Sequence, residues 1–108
     1  MSTNLKSEYK VLLFGGGGFI GYNIIKMFLK NNIDINLTVY DIYTDKIDIF
    51  KDKIEIINDD IRKPKTNLES LVNNHDVIVD LIAHANPSLY VKSPIEVFNL
   101  NFLENLKI

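Results

Sequence analysis

The sequence predicts an α/β domain, a doubly wound parallel sheet covered by helices, and three features carry that expectation. Short apolar runs alternate with stretches of helical periodicity. The first run stops at four consecutive glycines. The runs are also continuous in hydrophobicity, as strands buried on both faces are.

The elements follow in order. Residues 1–9 form a polar leader and residues 10–108 the domain. Val11-Leu12-Leu13-Phe14 is the first strand. From Phe19 the pattern becomes helical, with Ile20, Ile24, Met27 and Phe28 on one face and Asn31-Asn32 as the stop. Leu37-Thr38-Val39-Tyr40 is the second strand, ending at Asp41, and Ile54-Glu55-Ile56-Ile57 the third, ending at Asn58-Asp59-Asp60. Residues 42–53 between them carry no clear pattern. A helix over residues 67–74, with Leu68, Leu71 and Val72 as its apolar face, leads into a fourth strand from Val77 to Ile82. Ser93-Pro94-Ile95-Glu96 then joins a capping-box spacing to a proline at the first helical position, and Ile95, Phe98, Phe102 and Leu106 follow on one face of a helix running to the end. This succession orders the sheet 3-2-1-4. A fourth strand so apolar makes a poor permanent edge, which predicts that the natural protein continues into at least two more strands.

Composition narrows the function classes. At 108 residues there is room for one small core, and a 46% hydrophobic, 24% charged chain with net charge -2 is an ordinary globular one. Basic residues are interleaved with acidic ones, as in Lys51-Asp52-Lys53, or lie in short solvated runs such as Arg62-Lys63-Pro64-Lys65, so nucleic acid is not an expected partner. The absence of cysteine removes disulfides and thiolate metal sites. Residues 1–10 lack the apolar run of a signal peptide, and no stretch has the length of a membrane span, so a cytoplasmic location away from membranes is expected.

The glycine run carries the chemistry. Gly15-Gly16-Gly17-Gly18-Phe19-Ile20-Gly21 satisfies G-x-x-G-x-x-G through Gly15, Gly18 and Gly21, and G-x-G-x-x-G through Gly16, Gly18 and Gly21. The first glycine permits a tight turn out of the strand, the middle one lets backbone approach a pyrophosphate, and Gly21 lets the helix lie close to the sheet. An anion there meets free N–H groups and the positive end of the helix. This pattern is the one expected of the phosphate turn of a Rossmann-type domain, the alternative being a merely structural glycine turn. Asp41, twenty positions beyond Gly21, stands where a carboxylate accepts hydrogen bonds from the adenine-side ribose. No arginine occurs in Ile42-Tyr43-Thr44-Asp45 to receive a 2′-phosphate, and Asp45 adds repulsion, so the expected cofactor is NAD rather than NADP. A Walker-type loop is excluded because no Lys-Ser or Lys-Thr follows the glycines.

With these residues in place, the chain resembles an extended short-chain dehydrogenase/reductase of the NAD-dependent epimerase/dehydratase family over residues 10–108. Gly18-Phe19-Ile20-Gly21 is a phrase typical of that family, Asp60-Ile61 matches the pair that flanks its adenine, and Leu81-Ile82-Ala83 matches a segment that lines its cofactor. A narrower resemblance runs through Ala85-Asn86-Pro87-Ser88-Leu89-Tyr90 and Ser93-Pro94 to Ile108. It is to UDP-glucuronate decarboxylases of the bacterial aminoarabinose pathway and to plant UDP-apiose/xylose synthases. The resemblance implies cofactor contacts at Gly15, Gly18, Phe19, Ile20, Gly21, Asp41, Asp60, Ile61, Leu81, Ile82 and Ala83, and contacts from Ala85 and Tyr90 to a nucleotide-sugar substrate. It also implies a homo-oligomer when complete, and a reaction through a transient keto sugar ending in epimerisation, dehydration or decarboxylation. Phe14 departs from the threonine common before the first glycine, and Asn101 from the acidic residue of the decarboxylases. The family's proton-transferring Ser or Thr and Tyr-x-x-x-Lys lie beyond a fifth strand, so no catalytic residue is assigned. The competing function class is an NAD-sensing or regulatory protein that keeps the fold without its chemistry.

Other residues read as structural. Tyr22 and Lys26 have Tyr-x-x-x-Lys spacing but sit one turn past the phosphate loop, far from a nicotinamide, and read as a helix surface pair. His84 follows the fourth strand without a ligand partner and His75 reads as surface, so no metal is expected. Asp59-Asp60 reads as a capping or cofactor-edge pair.

Overall fold

A computed structural model describes residues 8–31, 35–83 and 87–108. Strands β1 (Tyr9–Phe14), β2 (Ile35–Asp41), β3 (Glu55–Asn58) and β4 (Val77–Asp80) pair in parallel in the order β3-β2-β1-β4, the order expected. Successive side chains of a strand point to opposite faces, so β1 is apolar at every inner position because both faces are covered. Val11 and Leu13 join Leu37 and Val39 on one face, against Ile25 of helix α1 (Phe19–Lys30) and against Ile47 and Ile54. Leu12 and Phe14 join Tyr40 and Ile61 on the other, against Leu68, Leu71 and Val72 at helix α2 (Leu68–Asn73) and against Leu100 and Ile108. The Phe14 and Tyr40 rings pack tilted, 5.1 Å apart.

Several local readings change. β1 starts two residues early, at Tyr9, and residues 42–53 contain a 3-10 turn (Asp45–Phe50) whose Ile47 is buried in the core. In α1 the buried residues are Gly21 and Ile25, whereas Ile20 and Met27 are 62% and 48% exposed. The rotation follows from Gly21, where a Cβ would run into the Gly16 backbone: the helix is turned to lay Gly21 on the glycine loop, and Ile25 lies one turn further on the same side. The close approach is thus to the loop rather than to the sheet. β4 ends at Asp80 rather than Ile82 because the Asp80 carboxylate accepts the Ile82 N–H at 3.0 Å and turns the chain. Its Leu81 N–H still reaches the Phe14 carbonyl, 2.8 Å away. α2 falls short of residues 67–74 only at its ends, and Asn67 is its cap, the side chain accepting the Ser70 N–H.

The C-terminal region departs most. A helix not foreseen, α3 (Pro87–Lys92), precedes α4 (Pro94–Phe98), which widens into a π-helical stretch (Asn99–Glu104) and closes on a 3-10 turn (Asn105–Lys107). Ser93 makes no side-chain cap. Ile95, Phe98, Phe102 and Leu106 are more than half exposed, and the residues that reach the core are Leu100 and Ile108. The change of pitch explains the difference, since a 3.6-residue pattern does not survive a π turn. Asn105 fixes that turn: its Nδ2 donates to the carbonyls of Leu100 (3.1 Å) and Asn101 (3.2 Å) and across to Ile82 (3.0 Å).

Candidate functional site

The register brings the strand ends to one level, with Phe14 beside Tyr40 and Asp80, and Asp41 beside Asn58. The loops that follow enclose a cleft of about 640 Å³ lined by Gly15, Gly17, Gly18, Asp41, Asp60, Ile61, Leu81, Ile82 and Ala83, among others. A crevice at the carboxyl ends of parallel strands is where this class of sheet binds ligands. Phe19 and Ile20, on the first turn of α1, are 77% and 62% exposed and are not among the residues that line the cleft.

The glycines divide by task. Gly15 has φ +80°, a left-handed conformation that only glycine adopts freely, and its N–H bonds to the Tyr40 carbonyl at 2.8 Å. Gly18 precedes α1 with nothing within 4 Å of where a Cβ would stand, so the cleft reaches its backbone. The first turn of α1 carries no acidic residue, leaving its unpaired N–H groups and positive end available to an anion. These features fit a pyrophosphate.

Asp41 does more than the sequence reading assigned. Its Oδ2 accepts the Gly17 N–H at 2.8 Å and its Oδ1 the Tyr43 N–H at 3.2 Å, so the carboxylate ties the glycine loop to the loop after β2. A carboxylate has about four lone-pair positions, which leaves two for ribose hydroxyls. Gly17 belongs to neither glycine fingerprint, yet a Cβ there would collide with the Tyr43 carbonyl and stand 2.9 Å from Asp41 Oδ2. A glycine that the motif does not require was the available signal. Asn58 braces the same corner, donating to the carbonyls of Ile42 (2.7 Å) and Asp41 (3.3 Å).

Asp59 and Asp60 separate into different roles. Asp59 accepts N–H groups from Asp60 (2.9 Å), Lys65 (3.0 Å) and Thr66 (2.9 Å), folding the 59–66 loop around itself. Burial works against its ionisation, but hydrogen bonds from Thr66, Lys65 and Asp60 outweigh it and hold the pKa at about 2, below the ordinary 3.8. Burial first, then the neighbouring Asp59 carboxylate, pushes the Tyr40 phenol well above its usual range, and that hydroxyl makes no hydrogen bond of good geometry. Because the folded pKa of Asp59 is depressed, its stabilisation is present above pH 4 and is lost as pH falls through about 2. Asp59→Ala is expected to lower stability at pH 7 by about 1–3 kcal/mol. Thermal unfolding followed between pH 4 and pH 2 should then show a smaller decline for the variant than for the parent.

Asp60 pairs with Arg62, which the sequence reading left as solvated surface. Arg62 lies in the cleft lining, as does Lys46. Among the other expectations, Tyr22 packs on Phe50 with Lys26 over its ring, as a helix surface pair would. His75 is half-buried rather than on the surface, its Nδ1 2.7 Å from the Leu71 carbonyl. His84, Ala85 and the side chain of Tyr90 lie outside the described residues. Among the described residues no group of His, Cys, Asp or Glu is arranged to hold a metal ion, and no helix is long and apolar enough to cross a membrane.

Comparison with known proteins decides the family. A model of the 3-beta hydroxysteroid dehydrogenase/isomerase family matches residues 12–101. The chain belongs to that family, within the NAD-dependent epimerases and dehydratases. Family relatives include the bifunctional polymyxin resistance protein ArnA of Wigglesworthia glossinidia brevipalpis, 37% identical over 109 residues that cover 97% of this chain and 16% of ArnA. Among solved structures, the PbgP3 protein of Burkholderia pseudomallei is 37% identical with a TM-score of 0.82, covering 93% of this chain and 30% of that one. The Thermus thermophilus UDP-glucose 4-epimerase, solved in complex with NAD, is 25% identical with a TM-score of 0.70, covering 90% of this chain and 31% of that one. The chain therefore spans less than a third of the length of these relatives, as the Rossmann portion of the family fold.

Proposed function

We propose that this chain is the NAD-holding part of a sugar-nucleotide-modifying enzyme. The observation that carries the reading is the open approach to the Gly18 backbone at the head of α1, in the same cleft as the Asp41 carboxylate. Gly15, Gly18, Phe19, Ile20 and Gly21 would hold the pyrophosphate, Asp41 the ribose, Asp60 and Ile61 the base, and Leu81 to Ala83 the far wall. Bound there, NAD would supply hydride transfer to and from the substrate. The chain's own contribution is to bind and orient: N–H groups and a helix end for the phosphates, and fixed acceptors for the hydroxyls. Ala85 and Tyr90, on the segment after β4, are assigned to the nucleotide sugar on the strength of the resemblance to UDP-glucuronate decarboxylases.

Electrostatics favour NAD over NADP. The cleft lining carries five carboxylates, Asp41, Asp45, Asp59, Asp60 and Glu96, against two cations, Lys46 and Arg62, and Arg62 is already paired. A further phosphate on the ribose would meet Asp41. Titration of the complete protein should give tighter binding of NAD than of NADP, and Asp41→Ala should narrow that gap by about tenfold. Equal or tighter NADP binding by the parent protein would overturn the assignment of Asp41. Assay with UDP-glucuronate, UDP-glucose and dTDP-glucose then separates the reactions. Carbon dioxide released from the first supports decarboxylation, turnover of the others alone supports epimerisation or dehydration, and NAD binding without turnover of any points to a sensor.

A further inference from the structure

The Asp60–Arg62 pair has a geometry that a plain surface ion pair does not need. Arg62 Nε lies 3.0 Å from Asp60 Oδ1 and 3.2 Å from Oδ2, Nη2 lies 2.9 Å from Oδ2, and the Arg62 backbone N–H reaches Oδ1 at 2.9 Å. A two-pronged grip of this kind fixes the plane of both groups. Oδ1 accepts two well-placed bonds and Oδ2 one, with a longer share of Nε, so the free lone pair of the fork lies on Oδ2. The guanidinium also holds the Asp60 carboxyl below its usual range, chiefly by hydrogen bonding to it. Both residues line the cleft, and their side chains keep 29% and 43% of their exposure.

The sheet order sets Asp60 in a row with the glycine loop and Asp41. Proceeding outward from β1, the glycine loop follows β1, Asp41 ends β2, and Asp60 stands just past β3, the strands being about 4.8 Å apart. A dinucleotide with its pyrophosphate on the glycine loop and its ribose at Asp41 therefore brings its base beyond β2, to the loop after β3. We propose that Arg62 is a positioning residue: by gripping Asp60 it presents Oδ2 as a fixed acceptor to the edge of that base, selecting a base with an amino group over one with a carbonyl. A carbonyl at that edge would set acceptor against acceptor with Asp60 held ionised and unable to turn away. The inference rests on the NAD reading above and adds to it the group that enforces base choice.

The test compares NAD with nicotinamide hypoxanthine dinucleotide, which differs in replacing the 6-amino group by a 6-oxo group, on the complete protein by equilibrium titration. The parent is expected to prefer NAD by about tenfold or more, the worth of one hydrogen bond to a charged acceptor. In Arg62→Leu the ratio should fall toward unity. Arg62→Lys, which keeps the charge and loses the fork, should fall with it, and it serves alone if the leucine variant does not fold. A merely structural role would weaken both dinucleotides equally and leave the ratio unchanged, and that result overturns the proposal, as does a parent protein with no preference between the two. Binding of neither dinucleotide by the parent overturns the NAD reading itself and this inference with it.

Discussion

Valine at position 18 is expected to remove NAD binding from the complete protein while leaving it folded. Gly18 has φ -84° and ψ -173°, an extended conformation open to any residue, and an added Cβ meets nothing within 4 Å. No atom is in the way of a side chain, but Gly18 is the N-cap of α1, where an aliphatic residue is disfavoured relative to glycine, so a stability loss of about 1 kcal/mol is expected. The space that valine would fill is the space that the proposed function gives to the pyrophosphate. Calorimetric titration should therefore show no saturable heat, alongside a cooperative melting curve shifted down by only a few degrees. Retained affinity in a folded Gly18→Val protein would mean that the phosphates lie elsewhere.

Gly21 should behave in the opposite way. A Cβ on Gly21 would run into the Cα, carbonyl carbon and oxygen of Gly16, backbone atoms that cannot swing aside as a side chain can. Gly21→Ala must lift α1 off the glycine loop, pulling Ile25, wholly buried, out of its place among Leu13, Val39 and Ile47. Overpacking of this kind costs about 1–3 kcal/mol, and a displaced core residue adds to it. Denaturant unfolding of Gly21→Ala should show the midpoint shifted by that amount, with binding lost as a consequence of the moved loop. The two variants together separate a glycine kept open for the ligand from one required by the fold.

The contrast also marks what could be read from sequence. Strands with two buried faces are continuous apolar runs, so β1, β2 and the sheet order were legible, and the glycine run and Asp41 do lie together on the cleft at the strand ends. What stayed hidden depends on side chains meeting across distance in the chain. The bond from Gly17 to Asp41 spans 24 residues, and the link from Asn105 to Ile82 spans 23. No periodicity records either. The π turn after Phe98 misled the reading of the last helix, because Ile95, Phe98, Phe102 and Leu106 form a face only if the pitch stays α-helical. Arg62 was hidden by its neighbours: within Arg62-Lys63-Pro64-Lys65 it looks like one solvated cation among three, and only the fold of the 59–66 loop turns it to Asp60.

The bond between Asp41 and the Gly17 N–H has a bearing on entropy. A loop containing four consecutive glycines has more backbone freedom to lose than any other composition, and a ligand that had to immobilise it would bind with much of its interaction energy offset. Here Asp41 closes the loop at one side, Gly21 seats it from the other, and the Gly15 N–H continues the β1–β2 ladder, all within the folded chain itself. The disorder is removed once, at folding, where the apolar surfaces of both sheet faces oppose it. On the proposed function, a dinucleotide arriving afterwards meets a glycine loop already tied down at three points, and the cost of ordering that loop falls on folding rather than on binding.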